Sequence, residues 1–299
     1  MAVIISESID THFNLATEEF LLRRNLEEDI FFVWKSQKAF VFGRNQNPFL
    51  EVSPEYFHKD IPIIRRISGG GTIYQDMNTI NFSYLTSDYH NRINDYEYFL
   101  KPIILALQEL GIDAIFKPKS NIFVNNKKIS GNAQAFINKK LLHHGTILFN
   151  TDLRIIEEAL IKNKNSLAGN YIFSNKQEVV NISDFLDPQV IIDDVIEKII
   201  AFVIKLRDIK PAKITFSEEE VKDISLLAEN KYKTWDWNFG KTSKFETIID
   251  DAKQSTKILV DKGIVTFVED ARFQKLLGTR FYTKEYSLIL KEIINKNCT

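Results

Sequence analysis

Apolar and polar positions change rhythm several times along the chain, and each change marks an element. Ala16, Phe20 and the Leu21/Leu22 region predict a first helix from about Leu15 to Leu26, with Asn14 as its cap. Short apolar runs at Ile30–Trp34, Ala39–Phe42, Ile61–Ile67 and Ile80–Leu85 predict strands. Phe99, Ile103, Leu107 and Leu110 predict a helix that stops at Gly111, with Pro102 either kinking it or marking its first turn. A strand-rich middle follows. Ile192, Val195, Ile196, Ile199, Val203 and Leu206 then define one long amphipathic helix, and Ser217-Glu218-Glu219-Glu220 opens another with a capping serine.

The last stretch has its own pattern. Lys257–Val260, Gly263 and Ile264–Val268 predict a hairpin, and Tyr282 to Ile294 a final helix. Two short strands and a helix bury too little surface to stand alone. The expected layout is therefore a large domain over residues 1–245 and a small satellite over 246–299. The fold class is α+β.

Composition narrows the function. The 299 residues are 44% hydrophobic and 26% charged, which is ordinary for a soluble globular protein. A net charge of −1 argues against a general nucleic-acid binder. No apolar run approaches membrane-spanning length, and Met1 to Glu7 is too short and acidic for a signal peptide. The one cysteine, Cys298, excludes an internal disulfide and a multi-cysteine zinc site, so a reducing cytoplasm is the expected location.

Three segments carry candidate chemistry. Arg65-Arg66-Ile67-Ser68-Gly69-Gly70-Gly71-Thr72-Ile73-Tyr74 sets two cations before three glycines at a strand end, where main-chain amides can meet a phosphate or carboxylate. It matches neither common nucleotide fingerprint, and a plain flexible turn is the competing reading. Lys127-Lys128-Ile129-Ser130-Gly131-Asn132-Ala133-Gln134 follows Asn121-Ile122-Phe123-Val124 and an Asn125-Asn126 turn, as the return strand of a hairpin. Alternation allows only one of Lys127 and Lys128 to face a ligand, unless the pair is simply a solvated hairpin end. Leu142 to Phe149 reads as another strand. Its neighbours His143 and His144 diverge and cannot chelate one metal, so one packed and one lining a pocket is the expectation.

Taken in order, these segments resemble the lipoate–protein ligase family. The resemblance also draws on Gly43-Arg44-Asn45-Gln46-Asn47 with Glu51-Val52, and on Trp235 to Thr242 with Phe245, which looks like the family's joint between catalytic and accessory domains. It implies a large mixed-sheet catalytic domain with a small C-terminal accessory domain. It also implies activation of lipoate by ATP to lipoyl-AMP, with magnesium, and transfer to a lysine of a lipoyl-carrier protein. The carrier is either the glycine-cleavage H protein or a 2-oxoacid dehydrogenase E2 lipoyl domain, and a monomer is the simplest state. Residue by residue, Lys128 matches the catalytic lysine. Arg66, Gly69, Gly70, Gly71, Thr72, Ile73, Tyr74 and Lys128 match the ATP or adenylate site. Arg66, Gly71, Lys128 and His144 match the lipoate site.

Two departures stand out. Pro118-Lys119-Ser120-Asn121-Ile122 replaces the family's Gly-Arg-Asn-Asp-Ile, so a metal-facing aspartate becomes Asn121. The segment 170–178, basic in many relatives, keeps only Lys176. The alternatives are a biotin–protein ligase, which shares reaction type and fold, and a non-catalytic lipoyl-AMP or carrier-binding protein. An octanoyl transferase of related fold needs a cysteine nucleophile, which the catalytic region lacks.

Overall fold

The computed structural model describes residues 1–24, 28–117, 120–160, 172–174, 177–207, 212–213, 215–250 and 255–297. Leu26, Pro118, Lys119, Lys176 and Cys298 thus lie outside the described residues. The chain runs β1 (Ala2–Ile5), α1 (Thr11–Arg23), β2 (Ile30–Trp34), β3 (Ala39–Phe42), α2 (Pro48–Glu51), β4 (Ile63–Arg65) and β5 (Ile73–Gln75). It continues with β6 (Thr79–Thr86), α3 (Tyr89–Arg92), α4 (Tyr96–Glu109), β7 (Ile115–Lys117), β8 (Asn121–Val124), β9 (Lys127–Ile137) and β10 (Lys140–Leu148). Then come α5 (Leu153–Ala159), α6 (Ile192–Arg207), β11 (Ala212–Lys213), α7 (Glu218–Leu227) and α8 (Trp235–Asn238). Last are β12 (Phe245–Asp250), β13 (Ser255–Asp261), β14 (Ile264–Val268) and α9 (Lys284–Asn297).

Eight strands form one mixed sheet in the order β11-β1-β2-β6-β10-β9-β8-β7, parallel where β1 meets β11 and β2. Period-two alternation divides its side chains between two cores. Phe31, Val33, Ile80, Phe82 and Tyr84 join Leu100, Ile103, Ile196 and Ile199 of α4 and α6. Ile30, Phe32 and Trp34 face the other way, onto Leu15, Ala16 and Leu22 of α1. A small sheet, β4-β3-β5, covers part of that second face. The cleft between the two sheets holds the site.

The structure corrects several local expectations. Helix α1 starts at Thr11 because Asp10, not Asn14, caps it, accepting from the amide of His12 at 2.8 Å. Asn14 is fully buried and instead donates to the carbonyl of Ser8 at 2.8 Å. Pro102 sits well inside α4, where it leaves the Tyr98 carbonyl without a helical donor. Arg207 fills that gap: its Nη2 donates to Tyr98 O at 2.9 Å, and its guanidinium lies 3.4 Å from the centre of the Tyr98 ring. Helix α9 begins at Lys284 rather than Tyr282, whose φ of 58° is left-handed. The Ser217–Glu220 capping box is present.

The C-terminal residues build three strands, not two, because Phe245–Asp250 pairs with Ser255–Asp261. Phe49 and Leu50 of α2 share the hydrophobic cluster of this small sheet, with Phe245, Val260, Phe273 and Phe281. Phe49 meets the rings of Phe57, Trp235, Phe239, Phe245, Phe281 and Tyr282 at centroid distances of 5.3–6.4 Å.

Candidate active site

One row of residues crosses five strands to floor the cleft. Trp34 of β2 is in register with Asn81 of β6, Asn81 with Thr146 of β10, Thr146 with Gly131 of β9, and Gly131 with Asn121 of β8. All five line a pocket of about 320 Å³. The opposite wall is Gly70, Gly71, Thr72, Ile73 and Gln75, with Ser174 at the rim. An open groove of about 900 Å³ lies elsewhere, around Lys38, Asp76 and Asp152. Its Asp152 and Arg154 pair with each other at 3.0 Å. Its buried carboxylate, Asp76, is taken up by the amides of Asn78 (2.9 Å) and Asp152 (3.1 Å), which leaves the smaller pocket, with Lys128, as the candidate site.

Strand alternation separates the two lysines. Lys127 turns to the surface and pairs with Glu178 at 2.6 Å. Lys128 enters the pocket, and its main chain is pinned on the other side: its amide donates to Glu178 O at 2.8 Å, and Val180 N donates to its carbonyl at 3.1 Å. Burial, and secondarily the charge of Arg66, pull its ammonium down to about 8. Gly131 makes room for it. A Cβ there would stand 2.9 Å from the lysine Nζ.

The arginines do something different from the sequence expectation. Rather than presenting open N–H groups to an anion, both spend them on the protein. Arg65 donates to the carbonyls of Arg44 (2.6 Å), Gln46 (3.0 Å), Trp237 (3.0 Å) and Asn238 (2.9 Å), and to Thr242 Oγ1 (3.0 Å). Arg66 donates to Val41 O (3.0 Å), Ser68 Oγ (2.9 Å), Gly69 O (2.5 Å) and Gly71 O (2.8 Å). Arg66 therefore draws the glycine loop into shape from inside, and burial lowers its guanidinium to about 10. Gly70 is the glycine whose backbone needs the absence of a side chain, with φ of 86°. Its carbonyl occupies the space that a Cβ on Gly43 would take.

Of the expected run, Gly70, Gly71, Thr72 and Ile73 line the pocket, whereas Gly69 and Tyr74 do not. Alternation on β5 sends Tyr74 away, into the cluster of Phe40 and Tyr56. His144 lines the pocket. Its Nε2 lies 2.6 Å from Ser68 Oγ and its Nδ1 3.0 Å from the Glu18 carboxylate, which also accepts from Ser83 Oγ at 2.6 Å. His143 packs between Phe82, Tyr96 and Phe99, where burial holds its imidazole well below the usual range. Asn121 lines the pocket beside Gln177, to whose Oε1 it donates at 3.4 Å.

Glu18, Trp34, Asn81 and Asn132 also line the pocket and were not singled out from sequence. A signal existed for two of them. Glu18 is an acid on the apolar side of α1, three residues from Leu15 and four from Leu22. Asn81 lies in a fully buried strand whose polar positions, Thr79, Asn81 and Ser83, alternate with Ile80, Phe82 and Tyr84.

A narrow pocket walled by a glycine loop, with one desolvated lysine, is suited to an anionic ligand. The lipoyl protein ligase A/B catalytic domain matches residues 10–204. Lipoate–protein ligase 1 of Staphylococcus aureus is 35% identical over 239 residues, covering 79% of this chain and 72% of its own length. A bi-partite lipoate protein ligase from Thermoplasma acidophilum, described together with its E2 lipoyl domain, has a TM-score of 0.68 at 26% identity, over 79% of this chain and 95% of that one. A lipoate-protein ligase A bound with ATP has a TM-score of 0.67 at 26% identity, over 79% of this chain and 97% of that one. The chain belongs to the lipoyl protein ligase A/B family and is an ATP-dependent lipoate–protein ligase. Among the described residues, no helix is long and apolar enough to cross a membrane.

Proposed function

We propose that the pocket takes lipoate and ATP together, with Lys128 at the reacting end. A lipoate carboxylate oxygen attacks the α-phosphorus, a P–O bond forms and pyrophosphate leaves. The amine of a carrier lysine then attacks the acyl carbon of lipoyl-AMP. The amide bond forms, the bond to AMP breaks and the amine gives up a proton. The observation that carries this reading is the Lys128 ammonium, desolvated and without an ion-pair or hydrogen-bond partner among the described residues, in a pocket walled by the glycine loop. It would bridge carboxylate and α-phosphate oxygens and stabilise charge in both steps.

The row of strands supplies the length. From Gly131 to Trp34 is three inter-strand gaps of ~4.8 Å each, room for an extended eight-carbon acid with its ring at Asn81 and Trp34. Arg66, Gly71 and His144 would flank the lipoate. The pocket-lining stretch of the loop, Gly70 to Ile73, would hold the adenylate, with Arg66 adding charge and fixing the loop's shape.

Among the described residues no group of three His, Cys, Asp or Glu side chains is arranged for a metal. The Asn121 amide oxygen, near Gly131, suits a magnesium ion carried in on the phosphates and steadied by one neutral oxygen. Bound there, magnesium would offset phosphate charge. The finer assignments are also proposals: a cytoplasmic monomer, a catalytic domain over 1–245 with an accessory domain over 246–299, and a carrier that is either glycine-cleavage H protein or an E2 lipoyl domain.

Pyrophosphate release on mixing the protein with ATP and lipoate tests the reading. Release with lipoate and not with biotin is expected. Release with biotin as readily as with lipoate, or with neither, overturns the placement of lipoate and ATP in this pocket.

A further inference from the structure

Two polar side chains between residues 43 and 51, Gln46 and Glu51, meet at Ser174 on the rim of the pocket. Asn47 caps α2, accepting from the amide of Phe49 at 3.0 Å, and so fixes the direction of Glu51. Glu51 is buried, 5% exposed, and both its oxygens accept from one residue: Oε1 from the Ser174 amide at 3.0 Å, Oε2 from the Ser174 hydroxyl. That hydroxyl in turn accepts from the amide of Thr72 at 2.8 Å and from Gln46 Nε2 at 3.1 Å. Gln46 Oε1 accepts from Gly43 N at 2.9 Å and from Thr72 Oγ1 at 3.0 Å. Gly71 lets Ser174 lie flat on the loop: a Cβ there would stand 3.0 Å from Ser174 Oγ.

Ser174 therefore saturates its hydroxyl between the glycine loop and a buried carboxylate. Only a carboxylate fits, since the amide and hydroxyl of Ser174 both donate; a glutamine would offer an acceptor to one and an opposing N–H₂ to the other. Sequestering a carboxylate costs free energy unless it is bonded, and here the bonded partner is the wall of the proposed adenylate site.

We propose that Glu51 is a positioning residue that fastens segment 172–174 over the acyl-adenylate, so that the intermediate is kept for the carrier amine and away from water. This rests on the lipoate-adenylation reading above. When the fastening fails, water attacks the acyl carbon, the bond to AMP breaks, and lipoate and AMP are released with no carrier modified.

Wild type, Glu51→Gln, Ser174→Ala and the double variant are compared with ATP, lipoate and a lipoyl domain. Pyrophosphate release, AMP release and carrier modification are followed together, with the melting temperature as a folding control. In the wild type AMP release matches carrier modification. In Glu51→Gln and in Ser174→Ala the ratio of AMP released to carrier modified rises about tenfold, the scale of one lost hydrogen bond to a charged group, whatever change each variant shows in its own rate of pyrophosphate release. The double variant is no leakier than the leakier single one, because both changes break the same link. Tight coupling in Ser174→Ala, or additive leakage in the double variant, overturns the role; Ser174→Ala removes only a hydroxyl and serves if Glu51→Gln unfolds. A wild type that releases no pyrophosphate with lipoate overturns the adenylation reading itself, and the positioning role with it.

Discussion

Lys128 and Gly131 lie three residues apart on β9, and the ammonium of the first occupies the space beside the bare Cα of the second. Their spacing is a packing requirement. Gly131→Ala is expected to push the lysine head from its position while leaving the strand intact, since alanine costs a strand little. Adenylate formation should fall by about 10²-fold, close to loss of the lysine itself. Pyrophosphate release measured beside a thermal melt checks this; equal loss of melting temperature and activity would contradict it.

Lys128→Ala should abolish ligation, by about 10²–10³-fold, whereas Lys127→Ala should leave it nearly unchanged. Lys127 makes only an exposed pair with Glu178, a contact of about 0–1 kcal/mol. Carrier-modification rates for the two variants decide it, and similar losses in both would remove the assignment.

In the proposed mechanism Lys128 acts as a cation, and its ammonium is held down to about 8 in the free protein. The kcat/KM for adenylate formation should thus fall as pH rises through about 8, because that parameter reports the free enzyme. Lys128→Arg, weak as it is expected to be, should lack that limb. In stability the sign is opposite. The unfolded lysine holds its proton to higher pH, so this group's destabilising contribution is relieved as pH rises from about 8 towards the ordinary lysine value. A pH–rate profile flat to pH 9 would exclude Lys128 as the essential cation.

Asn121→Asp should lower the magnesium needed for half-maximal adenylate formation, since a carboxylate binds a hard cation better than an amide oxygen. Transfer from preformed lipoyl-AMP should be indifferent to the change, because pyrophosphate and its metal have left. Superimposable magnesium titrations in the two proteins would take Asn121 out of the metal site.

What the sequence made legible was local. Strands β2 and β3 coincide with their apolar runs, Lys127 and Lys128 diverge as alternation requires, and so do the two histidines. What stayed hidden depended on distant partners. Arg65 and Arg66 looked like anion receptors because nothing nearby announces the carbonyls of Val41, Arg44, Trp237 and Asn238 that consume their donors. The third strand of the small sheet was missed because the boundary was drawn at its first residue, although Phe245, Thr247 and Ile249 alternate inward. The Glu51–Ser174 link spans 123 residues, beyond any periodicity.

Helix α2 is a single turn with two loyalties. Phe49 is the hub of an aromatic cluster built mostly from the last quarter of the chain, and Glu51, two residues later, grips the rim of the reaction chamber. A void opened in that distant cluster, for example by Phe281→Ala, therefore has a mechanical route to the adenylate. It would tilt α2 and slacken its hold on Ser174. Such damage would surface as wasted ATP before it surfaced as unfolding, and the fuel economy of the enzyme would be tuned from a part of the protein that touches no substrate.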